Sequence, residues 1–337
     1  MQVHGTVQLP GDKSISHRAI MLSSIADGVS YVRNLNDGAD LQSTINILRD
    51  CGASIQRKDD EIVINGKELH SPSKELDCGN SGTTTRLVAG LLASQKLTFS
   101  LIGDESLSKR PMKRIIKPLT AMGCKISSNN GLLPLSIDAS NGINAIDFNM
   151  KIASAQVKSS ILFSALGGDC TSSINEIIQT RNHSEIMLSN MGASIERQGD
   201  KILVHPLKSK LKSIDISVPS DPSSSAFFAG LAVINNNSKL KLNNVLLNES
   251  RIGFVEVLER MNSLISQSNE SIHNGEKVGD LTFSSSNLKA IEVEPEIIPS
   301  IIDEIPILAV VAAFANGTTV FKNVEELKYK ELSLIHI

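Results

Sequence analysis

The chain has 337 residues, enough for about two domains, and its 41% hydrophobic and 20% charged residues are the balance of a soluble globular protein. A formal net charge of −3 supplies no general attraction to nucleic acid or anionic membranes. Aromatics at 3%, with no Trp, exclude a base-stacking platform for single strands.

The first distinctive stretch is LPGDKSISHR, residues 9–18, a glycine and a Lys-Ser pair ahead of a helix. A nucleotide phosphate loop carries glycine directly before Lys-Ser; here Asp12 separates Gly11 from Lys13, so the nucleotide reading fails. Lys13 with Ser14 and, one turn on, Arg18 fits either an anion site or a solvated helix start. The helix that follows is apolar nearly all round. So are those in GNSGTTTRLVAGLLAS, SAQVKSSILFSALGG, DPSSSAFFAGLAVI and IDEIPILAVVAAFANG. Their starts, near Ser14, Gly82, Ala155, Ser223 and Asp303, lie 68, 73, 68 and 80 residues apart. Helices of this kind belong in a core.

Strands rich in Val, Ile and Thr follow, as in VSYVRNL, LTFSLIG, LKLNNVLL and TTVFKNV. A second set of helices alternates with the first. These are amphipathic, with Met112, Ile115, Ile116, Leu119 and Met122 at helical spacing, and end in CGASI, MGCKI, MGASI and MNSLI. Gly52, Gly123, Gly192 and Asn262 recur at 71, 69 and 70 residues, each placed to turn the chain into a strand. The repeat predicts an α/β protein with sheets packed on buried helices. Each buried helix then opens in a Gly/Ser/Thr-rich loop, where free amides and the helix dipole favour anions.

Polar residues recur at the same phase of successive copies. CGNSGTTTR (78–86) sets Gly82 and Thr83 before a buried helix with Arg86 nearby, although a plain capped start has the same composition. SLSKRPMKR (106–114) gathers four cations and sets Arg110 before Pro111, a residue suited to the first helical position; a solvated basic face reads alike. SAQVKSS adds Ser154, Gln156 and Lys158; QTRNHSE adds Thr180 and Arg181, with His183 read as a structural hydrogen-bonding residue. Asp303 and Glu304 open the last apolar helix, as acid–base groups or as caps, and KYKE contributes Lys330 and Glu331. The recurrence points to one cleft for a small substrate with several negative charges. Cys51, Cys78, Cys124 and Cys170 are scattered without a C-x-x-C, which predicts buried reduced thiols and no metal site. MQVHGTVQLP is no export signal, and apolar runs of about a dozen residues are too short to span a bilayer, so the expected setting is the cytoplasm.

Together PGDKSISHRA, LDCGNSGTTTRL, GDESLSKRPMKR, SAQVKSS, TRNHSE, VPSDPSSSAFF, LNESRIGF, IDEIPILAV and EELKYKE resemble, in family order, the EPSP synthases of the enolpyruvyl transferase family. The resemblance implies a two-domain fold of repeated βαβαββ units, three per domain, with the last unit or units missing here. It implies crossings near Asp12 and Val218. Residues 13–218 would form the shikimate-3-phosphate-side domain, and 1–12 plus 219–337 a discontinuous second one. The implied reaction moves the enolpyruvyl group of phosphoenolpyruvate to the 5-hydroxyl of shikimate 3-phosphate, with no metal or organic cofactor. By motif position Asp303 would handle the hydroxyl proton, Glu331 would protonate the methylene carbon, and Lys13 would assist and touch both substrates. Shikimate 3-phosphate would meet Lys13, Ser14, Arg18, Ser154, Ala155 through its backbone, Gln156, Thr180, Arg181, Asp303 and Lys330. Phosphoenolpyruvate would meet Lys13, Gly82, Thr83, Arg110 and Gln156. The implied partners are these small molecules alone, without nucleic acid or membrane, and the implied state is a monomer.

Departures from the family pattern set further expectations. Family members continue after KE with a Ser/Thr-Asp-Arg run and a long segment carrying more phosphoenolpyruvate-binding cations. Here the chain reads LSLIHI, which matches a translated sequencing-adaptor end and suggests foreign residues from Leu332. Weak phosphoenolpyruvate binding and slow or absent turnover would follow. Asn182 and Asn262 replace a common aspartate and a usual glycine. The sister enzyme acting on UDP-N-acetylglucosamine usually has Lys-Asn in place of Lys13-Ser14 and a loop cysteine that SLSKRPM lacks. A non-catalytic, repeat-built binding fragment is the alternative of a different class.

Overall fold

The computed structural model describes residues 2–329; Lys330, Glu331 and the tail from Leu332 lie outside the described residues. The helices in chain order are α1 (Lys13–Ser24), α2 (Ala39–Asp50), α3 (Gly82–Ser94), α4 (Glu105–Ser108), α5 (Lys113–Ala121), α6 (Ala155–Ala165) and α7 (His183–Asn190). After these come α8 (Pro222–Ile234), α9 (Gly253–Arg260), α10 (Ile298–Ile301) and α11 (Ile305–Ala312). The chain divides into two compact units: Lys13–Val218, and the first twelve residues joined to those from Pro219 on.

Three sheets of one design build the Lys13–Val218 unit. In each, a short strand pairs parallel with the strand after an apolar helix, and a hairpin adds two antiparallel strands. Their orders are Asp215–Ser217, Val29–Arg33, Glu61–Asn65, Ser54–Lys58; Leu76–Asp77, Thr98–Ile102, Leu132–Asp138, Lys125–Asn129; and Asp147–Asn149, Ser172–Asn175, Lys201–Val204, Ile195–Gln198. Alternation fixes which face is buried: Leu133, Leu135 and Ile137 point into the core from Leu132–Asp138 while their neighbours face out. The other unit repeats the design once, as His4–Gln8, Lys239–Leu246, Glu276–Ser284, Leu264–His273, and adds the parallel pair Glu292–Val293 with Val320–Phe321. The two parallel edge strands nearest the crossings are exchanged. His4–Gln8 joins Lys239–Leu246, and Asp215–Ser217 joins Val29–Arg33.

The helices of the Lys13–Val218 unit take the two roles their patterns predict, whereas α8 and α11, also read as core helices, leave Phe227, Leu231 and Val310 exposed. α1, α3 and α6 are core helices; α3 packs on both α1 and α6, and every residue from Leu87 to Ser94 and from Val157 to Ala165 is buried. The amphipathic α2, α5, α7 and α9 each bury one face. Gly52, Gly123 and Gly192 follow α2, α5 and α7 with φ of 94°, 99° and 92°, and Asn262 follows α9 with φ of 71°. Asparagine tolerates the left-handed region, so the departure at Asn262 preserves the turn.

Three expectations need correction. Pro111 is not the first residue of α5: the Met112 amide is taken by the Gly131 carbonyl at 2.8 Å, and the helix starts at Lys113. TTVFKNV yields only the two-residue strand Val320–Phe321, because its partner Glu292–Val293 is equally short. Cys170 is exposed, whereas Cys51, Cys78 and Cys124 are buried. Burial pushes the Cys51 and Cys78 thiols up to about 12 and the Cys124 thiol up to about 11. Iodoacetamide at pH 8 is therefore expected to modify Cys170 alone in the native chain and all four thiols in urea. Native labelling of a second cysteine would contradict this burial.

Candidate active site

Most of the sequence-predicted residues sit on the first turns of α1, α3 and α6 or just before α7. Ser81 caps α3, its hydroxyl accepting from the Thr84 amide at 3.0 Å. Ser154 caps α6 in the same way through the Val157 amide at 3.4 Å. These caps leave the amides around Gly82 and Ala155 at positive helix ends.

Gln156 joins two of the helix starts. Its Nε2 donates to Thr83 Oγ1 at 2.9 Å, and its Oε1 accepts from Arg86 Nη1 at 2.6 Å. A Cβ at position 82 would stand 2.6 Å from Arg86 Nη1, so glycine is what lets that guanidinium come this close, while Arg110 Nη1 would lie at an ordinary contact distance of 3.5 Å. Arg110 is held there by Asn80 Oδ1 and, at 3.5 Å, by Ser106 Oγ. Gly82, Thr83, Arg86, Arg110 and Gln156 thus form one cationic, amide-lined cluster, able to hold a phosphate or carboxylate.

Lys13 opens α1 and forms an ion pair with Asp40 in the first turn of α2. A chain of buried hydroxyls ties this turn to α3. Thr84 Oγ1 meets Thr44 Oγ1 at 2.8 Å and donates to the Asp40 carbonyl at 3.2 Å, and Thr44 Oγ1 meets His17 Nδ1 at 2.8 Å. Arg18 is buried and bonds Ser184 Oγ and Ser159 Oγ, each at 2.7 Å, and the Ser14 carbonyl at 2.9 Å. Ser159 in turn donates to the Ala155 carbonyl at 2.7 Å. Arg18 therefore fixes Ser14, Ala155 and the start of α7 relative to one another. Thr180 is positioned by Glu176, whose Oε1 accepts from its amide at 2.8 Å. Arg181, half-buried, directly follows.

Lys158, read from sequence as a cation at a helix start, is fully buried. It pairs with Glu176 at 2.9 Å and Glu185 at 2.8 Å and donates to the Thr180 carbonyl at 3.2 Å. It holds the Thr180 segment and has no surface to offer a substrate.

Asp303 belongs to the other unit, in the turn between α10 and α11. Glu304 occupies the N-cap position of α11 without a side-chain capping bond; its buried carboxylate accepts from Ser223 Oγ instead. The centre of this cluster is Arg251, with Nη1 3.0 Å from Asp12 Oδ2, and Nη2 3.4 Å from Asp221 Oδ1 and 2.9 Å from Ser223 Oγ. Burial pushes the Arg251 pKa down, but Asp12, Asp221, Glu304 and Asp303 overcome it and raise it above the ordinary value. Beside the second crossing, the Asp12 amide donates to the Pro219 carbonyl at 2.8 Å and Gly11 bridges Ser220, which brings Asp12 and Asp221 to the same guanidinium.

Sequence reasoning assigned no site role to Arg251, Asp40 or Glu176. Arg251 did carry a signal, since it precedes α9 as Arg110 precedes α5 and Arg181 precedes α7. Among the described residues no group of three or more His, Cys, Asp and Glu could hold a metal ion, and no helix is long and apolar enough to cross a membrane.

Comparison with known proteins agrees with this geometry. The profile of the EPSP synthase (3-phosphoshikimate 1-carboxyvinyltransferase) family matches residues 1–336. The 3-phosphoshikimate 1-carboxyvinyltransferase of Thermoanaerobacter sp. (strain X514) is 44% identical over 335 residues, covering 98% of this chain and 79% of the relative. That of Caldicellulosiruptor saccharolyticus is 44% identical over 338 residues, covering 98% and 78%. The solved EPSP synthase from Acinetobacter baumannii superposes with a TM-score of 0.89 at 39% identity, over 99% of this chain and 77% of that one. The enolpyruvyl transferase NikO from Streptomyces tendae shares the fold, with a TM-score of 0.76 at 14% identity over 95% of this chain and 75% of that one. With its nearly full-length profile match and its close relatives, this chain belongs to the EPSP synthase family.

Proposed function

We propose that the chain transfers the enolpyruvyl group of phosphoenolpyruvate to the 5-hydroxyl of shikimate 3-phosphate, releasing phosphate, in the shikimate route to aromatic amino acids. The observation that carries this reading is the joining of the α1, α3, α6 and α7 starts by Gln156 and Arg18. The Lys13–Val218 unit is then the shikimate-3-phosphate side, where Lys13, Ser14, Arg18, Ser154, Ala155, Gln156, Thr180 and Arg181 receive the phosphate, carboxylate and hydroxyls. Gly82, Thr83, Arg110, Gln156 and Lys13 receive phosphoenolpyruvate, and Arg86 keeps Gln156 in place.

The chemistry requires the 5-hydroxyl to lose its proton as its oxygen attacks C2 of phosphoenolpyruvate and a proton reaches the methylene carbon. Departure of phosphate and loss of a methyl proton then restore the double bond. Asp303 takes the hydroxyl proton, Glu331 supplies the carbon-bound one, and Lys13 assists both, with Lys330 on the acceptor. Fixed cations and amides stabilise the charge as it moves to the leaving phosphate. The enzyme acts as a cytoplasmic monomer.

Phosphate release tests the reading. It is expected with shikimate 3-phosphate as acceptor and not with UDP-N-acetylglucosamine, and the reverse preference would overturn it. Gly82→Ala supplies a local check. The added Cβ displaces the mobile end of Arg86 rather than backbone, so the melting temperature should hold within about 3 °C. Loss of the Arg86–Gln156 bond should weaken phosphoenolpyruvate about tenfold, as one charge-assisted hydrogen bond implies, and should weaken shikimate 3-phosphate as well, because Gln156 serves both substrates. Unchanged phosphoenolpyruvate affinity would place that substrate elsewhere.

A further inference from the structure

Thr180 and Arg181 sit in an irregular segment that leads from the strand Ser172–Asn175 into α7. Thr180 is buried but belongs to neither helix nor strand, so its backbone groups have no ladder to join and need other partners. Apolar packing does not hold the segment either, since Ile177 and Ile178 are 72% and 55% exposed. Two charged side chains take every polar group of Thr180 instead. Glu176 Oε1 accepts from the Thr180 amide at 2.8 Å and from its hydroxyl at 2.5 Å, and Lys158 Nζ donates to its carbonyl at 3.2 Å.

These two side chains come from different elements, and two more close the network. Lys158 on α6 pairs with Glu176 at 2.9 Å and with Glu185, in the first turn of α7, at 2.8 Å. Glu176 also meets Arg197, on the strand Ile195–Gln198, at 3.2 Å. Two cations and two carboxylates balance, so the network lends no net charge to a neighbouring anion site and its leverage is geometric. Stability alone is weak ground for such a buried cluster, because desolvating the charges offsets much of their attraction. What it does supply is a fixed backbone immediately before Arg181. Resting on the reading that shikimate 3-phosphate meets Thr180 and Arg181, we propose that Glu176, with Lys158 as its counter-charge, is a positioning residue of the acceptor site. It fixes the backbone from which Arg181 reaches the substrate, and its loss lowers affinity through Arg181.

Glu176→Met tests this without stranding a buried charge, because Lys158 keeps Glu185 and Arg197 reaches solvent. The variant should stay folded by circular dichroism and bind shikimate 3-phosphate about tenfold more weakly in calorimetry, as the loss of charge-assisted hydrogen bonds implies. Glu176→Gln keeps an accepting oxygen for Thr180 and should restore most of that loss. Arg181→Ala should weaken binding by itself, and adding Glu176→Met to it should cost little more, because both changes act through one guanidinium. A general loosening of the site would instead multiply the two losses. Hydrogen exchange gives a readout without substrate: the Thr180 amide should be protected in the parent and exchange freely in Glu176→Met, with the α3 and α6 amides unchanged. Multiplied losses, full affinity in Glu176→Met, or an unprotected Thr180 amide in the parent would overturn the proposal. No binding by the parent, or full affinity in Arg181→Ala, has a different signature: it would remove the acceptor reading itself, and the positioning role with it.

Discussion

Replacing Arg251 with methionine is expected to destabilise the chain by about 3–5 kcal/mol, the range found when one partner of a buried ion pair is removed. Arg251 is 2% exposed, and its guanidinium neutralises Asp12 and Asp221 at 3.0 and 3.4 Å. Methionine fills much of the volume but removes the guanidinium that neutralises those carboxylates. Urea unfolding gives the value, and a loss below about 1 kcal/mol would show that the carboxylates are neutral or solvated. The pH dependence follows from the signs. The Arg251 pKa is raised, so its contribution is complete below the ordinary arginine value and is lost only as pH climbs past the raised one. Over pH 5–9 the wild-type cluster is therefore insensitive to arginine titration. In the variant, buried carboxylates that have lost the guanidinium shift toward the protonated form, so its deficit should shrink on acidification.

Asp303→Asn should lower the single-turnover rate by about 10²- to 10⁴-fold relative to the unsubstituted chain, the usual worth of a positioned general base. Asparagine keeps the size and the hydrogen-bonding oxygen but cannot accept the hydroxyl proton. Asp303 is half-buried in a turn, so the fold and the affinity for shikimate 3-phosphate should survive. Rapid-quench measurement of phosphate release, with calorimetry of the acceptor as a control, separates chemistry from binding. A rate within tenfold of the parent would remove Asp303 from the proton transfer.

The local rules were legible in the chain itself. Helical spacing from Met112 to Met122 and the turn residues Gly52, Gly123, Gly192 and Asn262 announce the repeat, because a helix buried on one face and a left-handed cap leave marks within a few residues. What sequence conceals is the identity of distant neighbours. Arg110, Arg181 and Arg251 occupy one phase of successive copies, yet Arg251 alone of the three is sealed within a unit, because Asp12 arrives from the far end of the chain. Lys158 looks like a solvent-facing cation until Glu176 and Glu185 close over it. The exchange of His4–Gln8 and Asp215–Ser217 between repeats is equally nonlocal, since a parallel strand takes whichever edge its side of the crossing presents. Cys170 shows the converse: a residue type that favours burial lies exposed at the end of a turn, because nothing local compels a neighbour to cover it.

The central claim is that the helix starts of the Lys13–Val218 unit form a receptor for shikimate 3-phosphate. Titration calorimetry of that compound into the 337-residue chain tests it most directly. The structure predicts one site per chain, weakened at least tenfold by Gln156→Ala, with no comparable heat from unphosphorylated shikimate. Absence of binding by the folded chain, or equal affinity in the Gln156→Ala variant, would contradict it.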